Sequence, residues 1–348
     1  MKKSRRFVLF LLGGGAALLL IAGLVVILFF GRPSFPPLPN PNGYDDLIRA
    51  GQAVRGNFGD LANADNLRTV VATNADALRL LRAGLARNCS VPTAAVIANF
   101  GGVSGDLIAL KSLAKLLNAE GRLAEAEDRP LDAAQSYLDA MQLGDKMSHG
   151  GLMIHRLVGI ASQGIGTISF VKLLPKLTCD QMRPLISQLE QIDGETVAWE
   201  EVLKNEDRFA RAQLGNFPNP IQWAVQSWNA RTIRKACKDR NDLATARLRL
   251  LAVELAIRCF RCEEGIAPPH LQHLLPKYLH RMPTDPFTGL SLVYKQTGTN
   301  WLLYSVGSDR VDDGGKPRGR TASSIGLDDS ESASTPKNKG DVLYDSPW

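Results

Sequence analysis

The sequence predicts a mainly α chain: an N-terminal transmembrane helix, a helical-hairpin domain, and a small C-terminal α+β module with a short antiparallel sheet. Three observations predict it. Residues 7–30, FVLFLLGGGAALLLIAGLVVILFF, carry no charged or strongly polar side chain. The following two hundred residues are rich in Ala and Leu, and their apolar residues recur at three- and four-residue steps, the period of a helix face. Near the end, LSLVYK and NWLLYSV alternate around QTGT, the pattern of a β-hairpin.

Taken as a helix, residues 7–30 extend roughly 36 Å, enough to span a bilayer. A secretory signal has an apolar core of about 7 to 15 residues, whereas this run continues to Phe30, so the sequence predicts an uncleaved anchor in residues 1–31. KKSRR before it, with the single Arg32 behind, places the N-terminus in the cytoplasm and the bulk of the chain outside it, as a single-pass protein of a bacterial inner membrane. Lys2, Lys3, Arg5 and Arg6 account for most of the net charge of +6 and leave 37 basic against 35 acidic groups, so no nucleic-acid partner is expected. Residues 32–43 hold five prolines and read as a stiff extended spacer.

Residues 44–240 are expected to be all-helical, with helices near 44–57, 62–87, 106–127 (Asp106 as N-cap), 130–144, 151–174, 180–191, 196–212 and 219–236. Pro130 suits a first helical turn, where its missing N–H needs no partner. Gly159, Gly164 and Gly166 cost helix propensity and therefore predict tight packing against a neighbour. Residues 241–348 form the second unit. It opens on Asp242 as the cap of a helix 243–264, with Ala244, Leu248, Leu251, Leu255, Cys259 and Cys262 on its apolar stripe and Arg247, Glu254, Arg258 and Arg261 opposite.

The segment LLNAEGRLAEAEDRPLDAAQSYLDAMQLGDK, with Ala133, Tyr137, Ala140 and Leu143 at packing positions, resembles a tetratricopeptide hairpin over residues 106–144. Such hairpins stack into binding scaffolds. The module resembles the globular part of the major pseudopilin of type II secretion systems. The matching residues are Leu275, Pro276, Tyr278, Pro283, Asp285-Pro286-Phe287, Gly289, Tyr294, Leu303-Tyr304-Ser305-Val306-Gly307, Asp309, Gly314-Gly315 and Gly340-Asp341-Val342. The resemblance implies a calcium ion behind the second strand, with carboxylates from Asp309, Asp312, Asp313 and Asp341 as its ligands; oxygen-rich flexible loops suit that ion. Arg310 departs from the family's pattern, and a polar insertion at about 316–339, read as disordered, interrupts the loop. Residues 7–30 also lack the glutamate that pilin-like assembly requires.

Recognised catalytic signatures are missing: no GxxxxGK[ST], no HExxH and no GxSxG. GGVSGD around Ser104 reads as a loop. His270 and His273 stand three apart without a third ligand. Cys259 and Cys262 (CFRC) have no second CxxC, and the five cysteines, Cys89 and Cys179 to Cys262, read as structural. Trp223 and Trp228 read as packing residues. The expected function is a membrane-anchored scaffold or interaction protein with a protein partner, near secretion or cell-envelope machinery. The rival is an extracytoplasmic enzyme using His149 and His155, with Ser148 or Asp145 nearby, in the helical domain.

Overall fold

A computed structural model describes residues 35–56, 58, 63–213, 220–298, 300–316 and 340–345, without the side chains of residues 100, 213 and 220–230. The expected anchor at 7–30 and the insertion from residue 317 on lie outside the described residues, as do the side chains of Trp223 and Trp228. The remainder is mainly helical with one two-stranded antiparallel sheet.

Asn42 begins the body. Its amide accepts the Tyr44 N–H, donates to the Ser90 carbonyl at 2.8 Å and accepts the Ser90 N–H at 3.0 Å, so it caps α1 (Gly43–Ala53) and ties it to a later loop. The single helix expected over 62–87 is two, α2 (Ala64–Thr73) and α3 (Ala75–Leu85). The break falls at buried Asn74, whose amide is taken up by the end of α1: Oδ1 accepts Arg55 N–H at 2.7 Å while Nδ2 donates to the carbonyls of Arg55 and Val70. A short α4 (Thr93–Ala98) follows Pro92 where no helix was expected.

The third expected helix starts earlier, as α5 (Val103–Ala126), so Ser104 and Asp106 lie in its first turn and GGVSGD is not a loop. Asp106 is therefore no cap; Gly102 occupies that position. α6 (Pro130–Lys146) opens on its proline as expected. α7 (Met153–Leu173) then packs along α6 through glycines: a Cβ on Gly159 would collide with the Gly144 carbonyl oxygen, and one on Gly166 with that of Tyr137. Tyr137 is fully buried, its ring packed so close to Gly121 that a Cβ there would collide with Cε1, with its hydroxyl donating to Glu125 at 2.6 Å.

α7 and the turn after it, Met153–Lys176, are long and apolar enough to cross a membrane. Half of that stretch is buried inside the protein, and it carries buried His155 and Arg156, so we read it as the central core helix. α8 (Cys179–Glu195) is capped by Thr178, whose hydroxyl accepts Gln181 N–H while the Gln181 side chain returns to Thr178 N–H. α9 (Trp199–Gln213) crosses near α4 and α7.

The two helices expected at 219–236 and 243–264 are one continuous α10 (Pro220–Glu264). Asp242 sits inside it, paired with Lys238 at 2.6 Å one turn before, and caps nothing. The face of α10 expected to meet water is covered in part: Arg247 and Glu254 are buried and Arg258 is half-buried, whereas Arg261 is exposed. Glu254 is met there by β2 (Asn300–Tyr304), which pairs with β1 (Val293–Thr297). Trp301 Nε1–H and Arg258 Nε–H both donate to Glu254 at 2.8 Å, and Arg258 reaches the Tyr344 hydroxyl. The hairpin pairs Val293 with Tyr304 and Thr297 with Asn300, as its alternation predicts. DVLYD contributes a single bridge, Ser305 to Val342, in place of a third strand.

Two main cores result. Leu47, Leu81, Leu110, Leu113 and Leu117 centre the first, at the N-terminal end of the body. The second joins Tyr137, Phe170, Leu185 and Leu189 to Leu251 and Leu255 of α10, and also takes in Leu274, Leu303 and Val342 from the module.

Candidate functional site

Of the acidic residues anticipated near the C-terminus, Asp312 and Asp313 lie close enough to Asp341 to act on it through their charges, while Asp309 is tied only to its own turn. Asp309 Oδ1 accepts Val311 N–H. Asp312 Oδ1 accepts the Tyr304 hydroxyl at 2.6 Å and Gly314 N–H at 2.8 Å; these bonds, with Lys295 nearby, hold its carboxyl below the usual carboxylate range. Asp341 is fully buried and accepts the N–H groups of Asp313 and Gly315. Burial raises its carboxyl; the two N–H bonds oppose that, and the charges of Asp312 and Asp313 add to it. Among the described residues, no three His, Cys, Asp or Glu side chains are gathered as a ready metal-holding group.

Sequence reasoning missed the role of Asp285. Its carboxylate accepts Phe287 N–H within its own turn and, at 3.0 Å, Val306 N–H after β2. Gly307, at φ +74°, brings the chain so close to the returning strand that a Cβ would stand 2.8 Å from the Gly340 carbonyl oxygen. The Asp-Pro turn, the segment after β2 and residues 340–342 thus meet at one place.

The histidines of the rival reading lie where α6 turns into α7. His149 Nε2 is 2.8 Å from Asp145 Oδ2. Burial works against its protonation, but the hydrogen bond and charge of Asp145, with Glu201 beyond, outweigh it and raise the imidazole above its ordinary value. Ser148 donates its hydroxyl to the Gly144 carbonyl at 2.7 Å, a bond back into its own helix. His155 accepts the Leu152 N–H through Nδ1, so the neutral ring carries its proton on Nε2. Neither histidine is poised on a nucleophile in this arrangement.

Burial pushes His155 down to about 4. An unfolded histidine titrates near 6.5, so as pH falls from about 6.5 to 4 the unfolded chain takes up a proton that the folded one refuses. Stability is present above that window and is lost by about 3 kcal/mol across it. Denaturant melts of wild type and His155→Leu over this range check the prediction: the substitution should flatten the difference between pH 7 and pH 4, and parallel profiles would contradict it.

Sequence reasoning also missed Arg156, only 1% exposed. Its Nε donates to Asn241 Oδ1 at 2.7 Å and its Nη1 lies 3.7 Å from Asp145 Oδ1. Burial pushes the guanidinium below its ordinary value, with the charge of Asp145 opposing. Asp145 also accepts Val197 N–H at 3.1 Å, so one carboxylate joins α6, α7 and the α8–α9 connection. No local signal marked the arginine, because its partners stand 11 residues before it and 85 after it in the chain.

The CFRC cysteines do not pair with each other: Cys262 forms a disulfide with Cys179, while Cys89, Cys237 and Cys259 are free and buried. His270 and His273 stack with ring centres 6.0 Å apart at the surface, His273 Nδ1 lying 3.1 Å from the His270 carbonyl oxygen. On the opposite part of the chain, Val71 and Ala72 of α2, Ala75, Leu78, Arg79 and Arg82 of α3, and Glu120 of α5 border an open groove of about 440 Å³. Arg82 is held there by Glu120 at 2.5 Å and Asp139 at 3.0 Å. Comparison with protein-family models, curated proteins and solved structures finds no match to the chain.

Proposed function

We propose that this chain is a membrane-anchored extracytoplasmic scaffold that binds another protein, associated with secretion or cell-envelope machinery of the bacterial inner membrane. The groove across α2, α3 and α5 carries the reading: it is open to solvent, with apolar side chains beside Arg79 and Arg82, a form that suits a peptide or helix more than a reaction that must exclude water. The packing of Tyr137 on Gly121 supports reading α5 and α6 as a tetratricopeptide-like hairpin. The Cys179–Cys262 disulfide supports an oxidising compartment, since cytosolic thiols are kept reduced.

Cross-linking and affinity capture from native membranes test it, comparing wild type with Ala75→Glu, a change at an exposed groove position. A partner recovered with wild type and lost with the variant is expected; the same proteins recovered with both would sink the groove. A periplasm-active reporter fused to the C-terminus should be active, and a silent one would overturn the topology.

A second reading concerns the module, which we infer to be pseudopilin-like and stapled by calcium. Buried Asp341, its carboxyl raised by burial and by Asp312 and Asp313, supports it, because a cation would relieve both effects. Asp309, Asp312, Asp313 and Asp341 would hold the ion, whose charge would tie together a sheet of two strands that has little core of its own. Calcium at a hundredfold over its Kd should then stabilise the chain by about 3 kcal/mol. Thermal unfolding with calcium and with chelator checks this, and an unchanged midpoint would remove the site.

A further inference from the structure

Three of the five cysteines converge where the start of α8 meets the end of α10. Cys179 is the first residue of α8 and is bonded to Cys262, with their Cα atoms 6.5 Å apart. Cys259 lies three residues before Cys262, one helical turn away on the same helix, and its Sγ is 3.7 Å from the Cys179 carbonyl oxygen. Two cysteines of one helix therefore face the same residue of the other. They differ in environment: Cys259 is 1% exposed, whereas Cys262 is at the surface.

We propose that Cys179, Cys259 and Cys262 form a thiol–disulfide exchange centre in which Cys179 bonds either to Cys262 or to Cys259, and that the second pairing releases Cys262 as a modifiable surface thiol. In the step, Cys259 loses its proton to water and its thiolate attacks Sγ of Cys179. The Cys179–Cys262 bond breaks, its electron pair leaves with Cys262 sulfur, and that thiolate takes a proton from solvent. One disulfide is lost and one is formed, so no oxidant or reductant is consumed. The tie between α8 and α10 survives in both states; what changes is whether a thiol is presented to solvent.

Burial raises the Cys259 thiol to about 11, with Arg183 of α8 opposing and Glu263 of α10 and Asp180 of α8 adding to it. The reactive thiolate is scarce at neutral pH, and its fraction grows tenfold per pH unit below that value. Exchange at pH 9 should accordingly run about a hundredfold faster than at pH 7.

The test uses the oxidised full chain, trapped with iodoacetamide and mapped by digestion without reductant. Incubation of wild type at pH 9 should accumulate alkylated Cys262 together with a linked Cys179–Cys259 peptide, and Cys259→Ser should yield neither. Cys262→Ser, oxidised and checked by circular dichroism, should carry the Cys179–Cys259 bond as its disulfide. A folded Cys262→Ser with Cys179 and Cys259 both alkylated overturns the proposal, as does a wild-type product linking Cys259 to Cys262. Should Cys262→Ser not fold, the wild-type arm decides: no Cys179–Cys259 peptide after prolonged trapping at pH 9 overturns it equally.

Discussion

Asp145→Ala should destabilise the protein by about 3–5 kcal/mol, the range for removing one member of a buried charge pair. The carboxylate is 1% exposed and holds three partners: the His149 ring, the Val197 N–H and the Arg156 guanidinium. The alanine variant leaves a buried arginine without the opposite charge beside it and the buried Val197 N–H without its acceptor, and each is costly in a low-dielectric interior. Arg156→Met supplies the contrast. Combined with Asp145→Ala it removes both charges at similar volume, so the double variant should be more stable than Asp145→Ala alone. Chemical denaturation of the single and double variants measures this coupling; equal midpoints for Asp145→Ala and the double variant would show that the charge pair is not the source of the loss.

Gly159→Val should cost about 3 kcal/mol, near the top of the range for overpacking a core. Replacing glycine within a helix would otherwise bring a modest gain in propensity. Here the collision dominates, because the atom met is the Gly144 carbonyl oxygen, part of a helix backbone that cannot turn aside as a side chain does. A matched substitution at Gly105, where a Cβ meets nothing within 4 Å, should be close to neutral. Thermal melts of the two variants side by side distinguish local propensity from helix separation.

The parts of the fold that were legible in the sequence are those fixed by short-range chemistry. Pro130 marked the start of α6, QTGT marked the hairpin, and the glycines of α7 announced a close neighbour. What misled was tertiary. Asn74 breaks a helix because its buried amide serves the end of α1, nineteen residues earlier in the chain. Asp242 has the chemistry of a cap, yet the helix runs on through it, its carboxylate taken up by Lys238 one turn before. The polar residues of that helix looked solvated since their cover, Trp301 and Tyr344, comes 47 and 86 residues after the groups they bond. At the candidate sites, the acidic residues were visible as composition. The Asp145–Arg156–Asn241 arrangement was not, because nothing local links an arginine to an asparagine in another helix.

A helix of 45 residues measures about 68 Å, and α10 runs that length without a seam. Its middle crosses residue 240, the point at which composition suggested that one unit ends and another begins. Severing the chain there would give each fragment half a rod. It would also strip cover from Leu251 and Leu255, which share a core with Phe170 on one side and Leu303 on the other. The helix is a common spar, one element against which both the body and the C-terminal sheet pack.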